Sequence, residues 1–116
     1  MRPGLKATDR TEDEAARAER LLSRQIIRID AALTFMKQRK RAYQPEIYRS
    51  LHDALKSHRA KAEWYLAQPN HGGKTALGMM GANGRGPLLD RTISSVKFHA
   101  NRARYVPPAY RQEKAA

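Results

Sequence analysis

Arg17, Arg20, Arg24 and Arg28 recur at steps of three and four residues, the spacing of one face of a helix. At about 100° per residue they fall within roughly 80° of each other, and Phe35 falls on the same line. A guanidinium is a planar fork of N–H donors that stays charged and meets phosphate oxygens in pairs. A ladder of guanidinium groups one turn apart suits a phosphate backbone, and an aromatic ring among them offers a face to a base or to another protein chain. The line continues into Lys37, Arg39, Lys40 and Arg41, four positive charges in the five positions "KQRKR". Between residues 20 and 61 eleven basic residues stand against three acidic ones, Asp30, Glu46 and Asp53. That is too few carboxylates for an ordinary salt-bridged helix surface. Contact with nucleic acid is therefore the expected role of these eight side chains. Lys74 and Arg85 in the glycine-rich stretch are expected to join them, as are Arg102, Arg104 and Arg111 towards the end.

Other constellations carry less chemistry. Glu12, Asp13 and Glu14 crowd together, but they sit at an expected helix start, where negative charge suits the positive end of the helix dipole. The stretch "GGKT", Gly72 to Thr75, invites a phosphate-loop reading and fails it. That pattern needs a glycine where Gln68 stands, and a strand where a helix is expected. No HExxH and no Gly-x-Ser-x-Gly occurs, and His52, His58, His71 and His99 show no ligand spacing. His58 falls on a helix seam, as a hydrogen-bonded core or rim histidine would. The chain is thus expected to be no enzyme, and to use no metal, cofactor or small-molecule substrate. Trp64 lies off the seam of its helix, where either the C-terminal helix or a partner protein could cover it. Phe35, Trp64, Tyr105 and Tyr110 are the expected partner contacts. Ile47-Tyr48-Arg49 differs by one residue from the tripeptide of the LYR family of mitochondrial accessory proteins, which it resembles. In that family the motif belongs to the first helix, and the family is not carried over.

Composition narrows the classes. The 116 residues allow one small domain, and 23 Lys and Arg against 11 Asp and Glu leave a net charge of +12. Such an excess costs self-repulsion unless a polyanion or counterions absorb it. Leu, Ile, Val and Phe together make only 19 of the 116 residues, so a core can form only where they are concentrated, mostly in residues 21–66. Without cysteine there are no disulfides and no thiolate sites. No apolar run is long enough to span a bilayer, and "MRPGLKATDRTEDE" lacks a signal-peptide core. The expected location is intracellular, with the mitochondrion first and the cytoplasm second.

The elements that must position these residues are helices. Thr11 with Glu14 forms a capping-box pattern, after which Leu22, Ile26, Ile29, Leu33 and Met36 step by 4, 3, 4, 3. Pro45 suits the first turn of a second helix. Ile47, Leu51, Ala54, Leu55, His58, Ala62, Tyr65 and Leu66 carry the matching stripe, which Pro69 ends. Residues 70–86 hold six of the seven glycines and read as loop, and a loop of that length needs something to lie on. Beyond Pro87, Leu89, Ile93, Val96, Ala100 and Ala103 read as a short helix, although Val96, Phe98 and Ala100 also alternate as a strand would. "YVPPAY" should be extended.

The expected architecture is all-α. An N-terminal extension (1–10) precedes a long antiparallel helical hairpin (11–68) and a Gly-rich loop (69–87). A short third helix and an extended basic C-terminal tail (88–116) follow. Only the hairpin is expected to hold itself together, with residues 69–116 ordering on a partner. Globular helices with a basic extension resemble ribosomal proteins in general. The function this suggests is a non-catalytic RNA-binding structural subunit of a large ribonucleoprotein, ribosomal and in particular mitochondrial ribosomal. It would sit against ribosomal RNA and neighbouring protein subunits. The alternatives are an accessory subunit of a respiratory or other multiprotein complex, and a small DNA-binding or phage-encoded inhibitor protein.

Overall fold

A computed structural model describes residues 7–81 and 83–104, and every regular element among them is helical. Helix α1 runs Ala7–Gln38, α2 Pro45–Leu66, α3 Gly73–Met80 and α4 Pro87–Arg104, with short 3-10 turns at Lys40–Ala42 and Pro69–Gly72. The fold is all-α.

Helices α1 and α2 pack antiparallel. Met36 of α1 shares a core with Tyr43 just before α2, Ile29 shares it with Leu55, and Leu22 packs with Ala62. Along the outside, Arg59 forks onto Asp30 at 2.9 and 3.2 Å, which sets the same register. Helix α1 begins at Ala7, ahead of Thr11, so Thr11 and Glu14 lie inside it rather than at its cap. No glycine or proline interrupts the sequence from Leu5 to Gln44, so a capping pattern there cannot by itself stop the helix from running on towards its N-terminus.

The buried surface of α1 is wider than the expected seam. Leu22, Ile29 and Met36 are buried as the spacing predicts, but so are Ala18, Leu21, Gln25 and Ala32, on an adjacent stripe. The chain after α2 covers that second stripe. Near the hairpin tip α4 supplies Leu89, Val96 and Ala100 to the core of Ile29, Met36 and Leu55. Near the open end α3 supplies Ala76 and Met80 to the core of Ala18, Leu22 and Ala62. The expected loop over 70–86 is thus corrected: its middle is a helix. Two glycines lower the propensity of "GKTALGMM", yet Ala76 and Met80, one turn apart, bury fully against the hairpin, and tertiary burial outweighs propensity. For the same reason α4 is a helix and not a strand. It also belongs to the hairpin's own core, which corrects the expectation that everything beyond residue 68 waits for a partner. The tail from residue 105 on, with Tyr105, Tyr110 and Arg111, lies outside the described residues.

The crossing between α3 and α4 needs its glycines. Gly84 has φ +72° and is buried on Leu21, whose Cδ1 would lie 2.8 Å from an added Cβ. Gly86, at φ +79°, approaches Gln25 as closely. Gly86 N–H donates to the Met80 carbonyl at 2.8 Å, joining the end of α3 to the start of α4.

Tyr43 and His58 both bind α4 to the hairpin through polar contacts. The Tyr43 hydroxyl donates to the Val96 carbonyl at 2.8 Å. Thr92 Oγ1 donates to the Leu88 carbonyl and shares a hydrogen bond of 3.1 Å with His58 Nε2. Burial, and secondarily Lys61, hold His58 below the ordinary imidazole range. The stability from a lowered imidazole is present in full above the ordinary value of 6.5 and is lost as pH falls below it. The melting temperature should therefore fall between pH 7.5 and 5.5, and His58→Gln should show a smaller fall over the same interval. Ile29→Asp places an unpaired carboxylate at a fully buried position. It should cost more than about 4 kcal/mol, enough to abolish cooperative melting of a small domain, as read by circular dichroism.

Candidate nucleic-acid interface

The basic residues fall into three groups. Arg17, Arg20 and Arg24 stand exposed along α1, and none of them pairs with a carboxylate among the described residues. Arg28, next on the ladder, is spent internally. Its Nη1 donates to the Arg85 carbonyl at 2.9 Å and its Nη2 to a carboxylate oxygen of Asp90. Arg85 Nε donates to the other Asp90 oxygen at 3.2 Å. Two predicted phosphate ligands therefore share one carboxylate and clamp the start of α4 onto α1. The hydrogen bond from Arg28, with that from Arg85 and the two positive charges, holds the Asp90 carboxyl below its ordinary range. The physical reason is position: Arg28 lies at the edge of the ladder nearest Gln25 and Ala32, the stripe that the glycine-rich crossing covers.

Phe35 is not open for stacking. It is half-buried against the core, and the Arg39 guanidinium lies 3.9 Å from its ring centroid. Phe35, Arg28 and Arg85 do come together, around a cleft of about 280 Å³ between α1 and α4 with Lys97 on its rim. Arg39, just past the end of α1, is thereby a cation–π partner of that helix.

The hairpin tip gathers the second group. Lys37 stands in the last turn of α1, where a cation meets the negative end of the helix dipole. Lys40 and Arg41 lie exposed in the 3-10 turn. Arg102 of α4 arrives beside Ala42 and Gln44, so α4 adds its charge here. On the α2 side Lys37 and Lys40 line an open groove of about 920 Å³ with Tyr43, Pro45, Tyr48, Arg49 and His52. Tyr48, Arg49 and His52 were not among the expected contacts. The signal for them is their place in the first turns of α2, which a short turn must bring opposite Lys37.

The third group is remote. Lys74 sits at the open end of the hairpin, near Glu14, and shares no surface with the tip. The side chain of Arg104 lies outside the described residues. Trp64 is exposed, edge-on to Tyr65 at 5.1 Å, and α4 does not cover it.

Among the described residues no three His, Asp or Glu side chains come together as a metal site, and no helix is long and apolar enough to cross a membrane. No protein-family model matches the chain, and neither a curated protein nor a solved structure shows significant similarity to it.

The Arg28–Asp90–Arg85 clamp is half-exposed, which limits its worth to about 1 kcal/mol. A lowered carboxyl stabilises above its ordinary value of 3.8 and loses that contribution as pH falls below it. Asp90→Asn should lower the melting temperature by about 4–8 °C at pH 7 in calorimetry, and the difference from wild type should close towards pH 3.

Proposed function

We propose that this chain is a non-catalytic RNA-binding structural subunit of a large ribonucleoprotein, of the ribosomal kind, with the mitochondrion as its first expected location. One observation carries the reading. After the internal ion pairs are made, Arg17, Arg20, Arg24, Lys37, Lys40, Arg41, Arg49 and Arg102 remain on the outside of a chain of net charge +12. Such a surface is stabilised by a polyanion that displaces its counterions. Its mechanism would be charge neutralisation of folded RNA by the α1 face and the hairpin tip, with neighbouring proteins against the apolar side chains that remain exposed.

A second reading, an accessory subunit of a multiprotein complex, draws on those apolar side chains. Ile27 is 68% exposed, Leu88 62%, Trp64 58% and Phe98 58%. Single exposed apolar residues are ordinary, but a half-exposed tryptophan and phenylalanine on a small domain suit protein neighbours.

Sedimentation of the native tagged protein separates the two. An RNA partner predicts movement with a large particle that RNase disperses, whereas a protein partner predicts movement that RNase leaves unchanged. In binding to structured RNA, the triple variant Lys37→Gln, Lys40→Gln, Arg41→Gln should keep its melting temperature, since the dipole interaction lost at Lys37 is offset by relief of repulsion among the crowded tip cations. Its log–log salt dependence should flatten by about 2 units, because each phosphate left without a cation removes about 0.7–0.9 from the slope. An unchanged slope would remove the RNA reading for the tip.

A further inference from the structure

We infer that the groove at the hairpin tip is a site for unpaired nucleotides, in which a base stacks on the Tyr48–His52 pair while Lys37, Lys40 and Arg49 hold the flanking phosphates. This rests on the RNA-binding reading and names the form of RNA that the site takes.

The aromatic surface is built rather than incidental. Tyr48 and His52 are one turn apart on α2, and their rings lie nearly parallel, 16° between planes, with centroids 6.2 Å apart. Tyr48 is held in that attitude from below. Its ring meets the Tyr43 ring edge-on at 5.7 Å and 71°, and Tyr43 is itself buried and anchored through its hydroxyl to the Val96 carbonyl. The platform is therefore fixed to the core formed by α1, α2 and α4, and a ligand need not order it.

The charged side chains that line the groove, Lys37, Lys40 and Arg49, are basic, and the nearby carboxylate, Asp53, lies beside His52 at 3.5 Å without lining it. Lys40 Nζ lies 5.4 Å from the Tyr48 ring centroid, on an exposed flexible stem, so it can swing from the ring to a phosphate when a base arrives. The groove is open to solvent and about 920 Å³ in volume, room for a nucleotide and the phosphates on either side. Cations that track a backbone around aromatic faces that take bases are the physical requirements for binding a single strand. A duplex cannot use the rings, because its bases already stack on each other and its grooves show only their edges. An acidic peptide would use the cations and leave the rings idle.

The test uses the full chain with three fluorescent probes: an unstructured single-stranded RNA of twelve adenines and cytosines, an RNA duplex with the same number of phosphates, and poly-glutamate. The double variant Tyr48→Leu, His52→Leu removes the π faces and keeps the charges. It should bind the single strand about tenfold more weakly, the worth of one base stack, with the salt slope and the duplex affinity unchanged. Because Tyr48 also packs against the core, His52→Ala is measured alongside. His52 is at the surface of α2, and this variant should show a smaller loss in the same direction, with an unaltered melting curve. Wild-type affinity for the single strand in His52→Ala and in the double variant would overturn the groove assignment while leaving the RNA reading intact. Equal loss for all three probes would also overturn it, since the rings would then matter only to the shape of the tip. Failure of the wild-type chain to bind either RNA would overturn the underlying reading and the groove with it.

Discussion

Two helices packed against each other bury one stripe of each and leave the rest in water. For a chain with 19 large aliphatic and phenylalanine residues in 116, that single seam is a thin source of stability. Helix α1 meets this constraint by burying two adjacent stripes. Leu22, Ile29 and Met36 face α2, while Leu21, Gln25 and Ala32 face the chain that returns after it. Everything else follows from the need to cover that second stripe. Helix α3 closes the open end, α4 closes the tip half, and the segment between them passes so close to α1 that a Cβ at Gly84 or Gly86, already at positive φ, would press on Leu21 or Gln25.

The same packing sorts the charges. Arg28 falls beside the second stripe and, with Arg85, holds Asp90. Arg59 spans Asp30 and Glu63, and Arg39 lies on Phe35. These guanidinium groups work inside the molecule, and each spares the chain some self-repulsion. Those that stay exposed include Arg17, Arg20 and Arg24 further round α1, and Arg41, Arg49 and Arg102 around the tip. The crowding at residues 37–41 is therefore relieved in part by the structure itself. Lys37 meets the α1 dipole and Arg39 meets a ring, while Lys40 and Arg41 remain available.

The tip owes its character to two helices that meet there and a third that ends there. Tyr43 closes the turn, reaches across to α4, and presents an edge to Tyr48. One buried tyrosine thus links the core to the shape of the groove above it. Desolvation raises its pKa, in keeping with a neutral hydroxyl that acts only as a donor.

Local information was enough for the helices that carry strong periodicity. The 4, 3, 4, 3 steps of α1, the Pro45–Pro69 bounds of α2 and the stripe Leu89, Val96, Ala100 of α4 are written in residue type and spacing, because burial on one side of a helix demands them. The excess of unpaired basic residues was legible for the same reason, since charge does not depend on fold. Helix α3 was not legible, because its two glycines argue against a helix and only burial of Ala76 and Met80 against the hairpin overrides them. Nor could spacing tell Arg24 from Arg28. Both sit on one ladder, and which of them meets a carboxylate depends on where Asp90 arrives from across the fold. Tyr48 and His52 become a platform beside Lys37 only when the turn sets α2 against α1, and contacts between distant residues are what tertiary structure alone decides.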